Sequence, residues 1–142
     1  MGLVARCIMT ASLAAAGLCM SAAVSASASP AATTSCGTIL AFGGVGGPSP
    51  VGSVCVSISN GQVVGFASVS GNATNIVSSL TQCDAAHTAC STVPGTTVSS
   101  LITPTVPTTP GQSYQSCTSL FTTVNGPGPL RPATGCSPLV PA

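Results

Sequence analysis

Acid–base chemistry has few side chains to use in this chain. Beyond residue 28 the only carboxylate, imidazole and guanidinium groups are those of Asp84, His87 and Arg131. Asp84 and His87 lie in the short segment that Cys83 and Cys90 bracket. A Ser-His-Asp arrangement needs a carboxylate on one imidazole nitrogen and a hydroxyl on the other, but an Asp in a tight loop more often accepts backbone N–H groups. The sequence therefore predicts a turn role for this pair, no catalytic residue, no cofactor and a protein that is not an enzyme.

Disulfide formation is the chemistry that the cysteines favour. An even set remains beyond residue 28: Cys36, Cys55, Cys83, Cys90, Cys117 and Cys136. In an oxidising compartment an even set indicates disulfide bonds. The positions of the turns favour bonds between sequence neighbours, namely Cys36 with Cys55, Cys83 with Cys90, and Cys117 with Cys136. A bond from Cys55 to Cys117 that joins two sheets is the alternative. No metal site is predicted, because the C-x-x-C spacing of zinc ligands is absent and the chain has a single His.

Residues 1–28 have the composition of a secretory signal peptide. One positive charge lies in residues 1–6, an apolar, Ala-rich stretch covers residues 7–24, and small residues stand at Ala26 and Ala28. Cleavage is predicted after Ala28, with Ala26 as second choice, which leaves residues 29–142 as a single secreted domain. An uncleaved membrane anchor is the alternative, but the stretch is weakly hydrophobic and no basic cluster follows it. We therefore expect a secreted, extracellular or cell-surface-associated protein that leaves the membrane after cleavage.

The near absence of charge excludes one class of partner and favours another. Charged residues make up 2% of the chain, whereas binding to phosphates needs clustered Lys or Arg, so no nucleic-acid partner is expected. Low net charge also leaves little repulsion between molecules, and weak self-association through exposed strand edges is predicted. The aromatic residues stand in strand-like segments and are predicted to pack in the core: Phe42, Phe66, Tyr114 and Phe121.

Strand patterns dominate the sequence, and the clearest one is a hairpin. Apolar residues alternate with Cys and Ser from Val54 to Ser59, and Val63 to Val69 returns after Asn60-Gly61. Asn-Gly supplies the two positive-φ residues of a type I′ turn, so Ile58 is predicted to face Val63. The other predicted strands cover residues 38–42, 75–82, 88–93, 96–102, 114–124 and 139–140, with Gly- and Pro-rich stretches between them. Short strands with frequent turns predict an all-β fold, an antiparallel β-sandwich in which strand 114–124 is central.

Two segments resemble a known group of proteins. The resemblance is carried by the run from Val63 through Cys90, which ends in CDAAHTAC, and by Pro110 to Cys117, which reads PGQSYQSC. Both are similar to small exported actinobacterial proteins with a disulfide-stapled immunoglobulin-like β-sandwich. The chain departs from true immunoglobulin domains in lacking Trp and in the spacing between Tyr114 and Cys117. The resemblance implies an immunoglobulin-like antiparallel sandwich with up to three disulfides, and no particular role, because the group is largely of unassigned function.

Two functions are compatible with an exported, uncharged, β-rich chain. The first is a non-enzymatic structural or adhesive module of the cell surface or extracellular matrix, with a cell-wall component, a glycan or a protein as partner. The alternative is a secreted inhibitor or ligand of an extracellular protein. It would present the loop from Gly126 to Gly135, whose prolines restrict the backbone around Leu130 and Arg131.

Overall fold

The computed structural model describes residues 31–142. The predicted signal peptide and its cleavage site lie outside the described residues. Strands are the regular elements of the described part, which contains no helix. They are β1 (Thr33–Ala41), β2 (Ser49–Ser59), β3 (Gln62–Val69), β4 (Ala73–Cys83), β5 (Cys90–Thr92), β6 (Val106–Pro107), β7 (Ser113–Thr122), β8 (Arg131–Cys136) and β9 (Val140–Pro141).

The β2–β3 hairpin forms as its turn residues predict. Asn60 and Gly61 have φ values of 50° and 69°, which a type I′ turn requires at both central positions. This two-residue turn sets the register, so Ile58 lies opposite Val63. The predicted hairpin and its register are confirmed, because both depend on residues that are close together in the sequence.

The strands form one antiparallel sheet that curls into a half-barrel. Its strand order is β5-β4-β7-β8-β1-β2-β3-β6, and β9 pairs with β7. The predicted all-β, antiparallel class is confirmed, and β7 is central because it pairs with β4, β8 and β9. The hydrogen-bonded path runs without a break through β8, which joins β7 to β1. Two separate sheets and an immunoglobulin-like arrangement are therefore not confirmed.

Strand β8 corrects the prediction of a loop from Gly126 to Gly135. Residues 131–136 are extended and pair with β7, and Ala133 and Thr134 also pair with β1. Pro132 is tolerated because it lies at the end of the β1–β8 ladder, where the N–H of Phe42 donates to its carbonyl at 2.9 Å. At a ladder end, the missing proline N–H removes at most one bond.

The segment 96–103 crosses the open side of the half-barrel, although residues 96–102 were predicted as a strand. At one end, Val98 exchanges two backbone hydrogen bonds of 2.9 Å with Ser78 of β4. At the other, the N–H of Thr103 donates to the carbonyl of Gly65 in β3 at 2.9 Å. The segment bonds to both edges of the curl and is too strongly bent to be one strand. Some backbone groups on these two edges are therefore covered by the segment.

The interior contains two apolar clusters with a hydroxyl-bearing layer between them. Ile39, Val54 and Leu120 are buried in one cluster, and Leu80 and Tyr114 are buried in the other. Between them on β7 lie Ser116 and Thr118, and the Thr118 hydroxyl is 2.9 Å from that of Ser78. Small hydroxyl side chains allow the layers to approach closely where large apolar ones would hold them apart.

Candidate functional site

The three disulfides join residues that lie directly opposite each other on neighbouring strands. They are Cys36–Cys55 between β1 and β2, Cys83–Cys90 between β4 and β5, and Cys117–Cys136 between β7 and β8. The Cα atoms of each pair are 4.0 to 4.1 Å apart. The structure thus has the pairing between sequence neighbours, and Cys55 does not bond to Cys117. A bond between opposite residues prevents the register from slipping, so the strands that carry the outer surface are fixed in place.

Three apolar side chains form a row across the outer face of the sheet. Phe121 of β7 lies opposite Pro132 of β8. The carbonyl of Pro132 accepts a hydrogen bond from the N–H of Phe42, the residue that follows β1. Phe42 is 39% exposed and Phe121 is 41% exposed. Thr74 of β4 lies opposite Phe121 and ends the row. We call Phe42, Pro132, Phe121 and Thr74 the outer row.

A second row of mixed character lies beside the outer row. Val77, Ser119, Thr134 and Leu40 lie side by side on β4, β7, β8 and β1. Val77 is 47% exposed, and the hydroxyls of Ser119 and Thr134 are 3.1 Å apart. We call the two rows together the outer patch; it contains apolar and hydroxyl-bearing side chains and no charged one.

The exposure of the phenylalanines corrects the prediction that they pack in the core. Of the four aromatic residues only Tyr114 is buried, while Phe66 is exposed like Phe42 and Phe121. The alternation of strand side chains explains this: Phe121 follows buried Leu120, and Phe66 follows buried Gly65. A strict period of two along each strand is the signal that could have placed them on the outer face.

Leu130 and Arg131, predicted to share one rigid loop, are separated by the start of β8. Leu130 is 52% exposed at the end of the loop. Arg131 is half-buried, and its guanidinium lies against the backbone of Gly44 in the loop between β1 and β2. The loop therefore presents Leu130 to solvent, while the charge of Arg131 is held against the protein.

Asp84 has the turn role that its position predicts. Its Oδ1 accepts hydrogen bonds from the N–H groups of Thr88 at 2.7 Å and Ala89 at 3.3 Å, and its Oδ2 accepts one from the Thr88 hydroxyl at 2.7 Å. The Thr88 hydroxyl, followed by the two backbone N–H groups, lowers the pKa of Asp84 because these bonds stabilise the ionised carboxylate. The carboxylate thus organises the loop between Cys83 and Cys90.

His87 has a neighbour that the sequence did not indicate. Its Nε2 is 3.3 Å from the hydroxyl of Ser113, at a pocket of about 290 Å³ that Gln112 and Leu139 also line. Within residues 31–142 the hydrogen bonds of Asp84 go to Thr88 and Ala89, so Asp84 does not orient the imidazole as the Asp of a catalytic triad does. Ser113 and His87 are 26 residues apart in sequence, so only the pairing of distant strands brings them together.

Within residues 31–142, neither a cluster of metal-binding side chains nor a membrane-spanning helix is present. No three side chains of His, Cys, Asp or Glu in this part are grouped so that they could hold a metal ion. None of its elements is a helix of the length and hydropathy needed to cross a bilayer.

The fold and its surface define a class: an all-β chain with three disulfides between adjacent strands and an uncharged, partly apolar outer patch. No protein-family model, curated protein or solved structure matches the chain.

Proposed function

We propose that this protein is a secreted, non-enzymatic module that acts as a structural or adhesive element of the cell surface or extracellular matrix. The observation that carries the proposal is the outer patch, which exposes Phe121 on β7 and Phe42 directly after β1. Disulfides join β7 to β8 and β1 to β2. Aromatic side chains are enriched in binding surfaces relative to the rest of a protein surface. A fixed surface also loses little conformational freedom when it binds.

The disulfides support the compartment in this proposal. Three intramolecular disulfides indicate an oxidising environment, as outside the cell. The predicted signal peptide would bring the chain there. With a signal peptide for export and disulfides that stabilise the fold, the protein is suited to persist where reducing systems and chaperones are absent.

The immunoglobulin-like arrangement belongs to the same proposal. Gly65 of β3 lies against Ser116 of β7 and Leu80 of β4, so opposite parts of the curled sheet face each other as the layers of a sandwich do. This sandwich-like packing supports a distant relation to the small exported actinobacterial proteins that the segments Val63 to Cys90 and Pro110 to Cys117 resemble.

A second candidate function is an inhibitor or ligand of an extracellular protein. The exposure of Leu130 at the end of a loop containing Pro127 and Pro129 favours it. Prolines restrict the loop before binding, and an exposed Leu can fill an apolar pocket on a partner. Arg131 contributes less than the sequence suggests, because it is packed over Gly44.

Cell fractionation tests the proposal against this alternative. The full-length chain is produced with its own leader, and the culture medium, intact walls and cell interior are assayed for the oxidised protein. We expect a pool that stays with washed walls and is released by denaturant. A protein found wholly as a free monomer in the medium, and recovered bound to a protease in a manner that Leu130→Ala abolishes, would contradict the adhesive role and favour the inhibitor.

A further inference from the structure

The outer row is a strip on the convex face of the half-barrel, and the strand spacing sets its dimensions. Neighbouring strands are about 4.8 Å apart, so the side chains of Phe121 and Phe42 stand about 10 Å apart with Pro132 between them. These three side chains belong to one face of adjacent antiparallel strands. The strip offers two aromatic rings and one proline ring at regular spacing.

Hydroxyl groups flank the strip on one side and at one end. Thr74 stands beside Phe121, and the Ser119 and Thr134 hydroxyls lie one row away. A ligand that fits must present an apolar surface to the rings and polar groups to these hydroxyls. Pyranose sugars have this character, because one face of the ring carries C–H groups while hydroxyls surround its rim.

Charge on the protein selects among such ligands. None of the eight residues of the outer patch is charged. The nearest cation along the chain, Arg131, directs its guanidinium to Gly44. An anionic or a cationic partner would lose its hydration here without gaining a counter-charge from the side chains of the patch, so a neutral ligand fits best.

The size of the apolar surface argues against a second copy of the chain as the occupant. Two phenylalanines about 40% exposed present on the order of 150 Å² of ring surface together. A stable protein interface buries about 800 Å² on each partner. The two rings alone fall far short of the surface that a stable dimer buries, whereas a few sugar rings can cover them.

We infer that the outer patch binds neutral polysaccharide chains, whose pyranose rings stack on Phe121 and Phe42 while their hydroxyls bond to Thr74, Ser119 and Thr134. This inference rests on the adhesive role proposed above and names the surface and the ligand class. The Cys117–Cys136 disulfide lies farther along the same two strands and holds Phe121 and Pro132 side by side. The patch is therefore rigid before the ligand arrives, which lowers the entropic cost of binding.

The test compares phenylalanines inside and outside the patch. Purified, oxidised protein is incubated with insoluble cellulose, chitin and starch, and affinity is measured by depletion from solution. We expect at least one of these polymers to bind, and Phe42→Ser combined with Phe121→Ser to weaken that binding at least tenfold. Phe66→Ser is the matched control, because Phe66 is 37% exposed, as the two phenylalanines of the patch nearly are. Phe66 is on β3, opposite Cys55 of β2, and lies about 20 Å from the outer row along the strand direction.

A second measurement needs no substitution. In NMR spectra of the wild-type chain, a soluble oligosaccharide of the polymer that binds should shift the backbone amides of Phe42, Thr74 and Phe121. The amides around Phe66 should stay unchanged. These shifts test the location of binding even if the double variant folds poorly.

Four outcomes of the binding, NMR and oligomeric-state measurements would overturn the inference: binding to none of the three polymers, equal loss on Phe66→Ser, shifts confined to another surface, or a dimer that the double variant converts to a monomer. The last would show that a second copy covers the patch. Wall retention of the double variant, measured by the same fractionation, separates the two proposals. If walls retain it as they retain the wild type, the inference fails and the adhesive role stands; if walls retain neither protein, the adhesive role fails as well.

Discussion

Gly65 of β3 is a position where facing parts of the curled sheet leave no room for a Cβ, and replacing it tests the packing directly. A Cβ at Gly65 would meet the Ser116 hydroxyl oxygen, and it would lie 2.8 Å from the Ser116 Cβ and 3.2 Å from a methyl of Leu80. The strand cannot easily withdraw, because the N–H and carbonyl of Gly65 are both hydrogen-bonded to Thr103. Overpacking of this kind costs about 1–3 kcal/mol.

Gly128→Ala provides the matched control for Gly65→Ala. No atom lies within 4 Å of a Cβ at Gly128, and its φ is not in the left-handed range. Both substitutions reduce the conformational freedom of the unfolded chain by the same amount, worth about 0.4–1 kcal/mol. The difference between them therefore isolates the clash. We expect Gly65→Ala to be less stable than Gly128→Ala by about 2 kcal/mol.

A double-mutant cycle identifies the partner in the clash. Ser116→Gly removes the two nearest side-chain atoms, and the Ser116 hydroxyl makes no hydrogen bond within the described part of the chain. Adding Gly65→Ala to Ser116→Gly should therefore cost less than adding it to the wild type. Residues in direct contact usually couple by about 0.5–3 kcal/mol, and we expect about 1–2 kcal/mol here.

The assay is denaturant unfolding of the oxidised protein, followed by far-ultraviolet circular dichroism and by the fluorescence of Tyr114, the single Tyr of a chain without Trp. The reasoning is refuted if Gly65→Ala unfolds at the same denaturant concentration as Gly128→Ala, or if the cycle shows additive effects. Either result would mean that β3 and β7 are not pressed together at this point.

The remaining predictions concern the disulfides and the loop between β4 and β5. Replacing Cys117 and Cys136 with Ala opens a loop with a sequence separation of 19 and should lower the free energy of unfolding by about 3 kcal/mol; an unchanged thermal midpoint would contradict this. Because the pKa of Asp84 is lowered in the folded chain, its hydrogen bonds stabilise the loop above the unfolded pKa, and this stabilisation is lost as the pH falls through the folded pKa. Hydrogen exchange at the Thr88 amide, corrected for its intrinsic pH dependence, should show less protection below about pH 4, and Asp84→Asn should remove that change; equal behaviour of the two proteins would count against it. His87→Ala removes one contact of 3.3 Å with Ser113 and should shift the free energy of unfolding by less than about 0.5 kcal/mol, and any hydrolytic activity lost with it would overturn the non-enzymatic proposal.

The parts of the fold that could be predicted are those that depend on neighbours in the sequence. The Asn60-Gly61 turn set the hairpin register, and the short connections brought each cysteine opposite the next one. Strand β8 was missed because Pro132 is a strand breaker except at the end of a ladder, and its place at that end depends on β1, which is distant in sequence. The proximity of His87 and Ser113 depends in the same way on the pairing of β4 with β7.

Composition and local pattern determine that this chain is rich in strands and almost uncharged, and they favour disulfides between sequence neighbours. The tertiary structure decides which face of each strand turns inward, because both faces of β3 carry apolar residues. By size alone Phe66 would be buried and Gly65 exposed, but the reverse holds. Ser116 and Leu80 lie so close to the backbone of Gly65 that only a residue without a side chain fits at this position. Close packing of strands that are distant in the sequence thus places the phenylalanines on the outer surface.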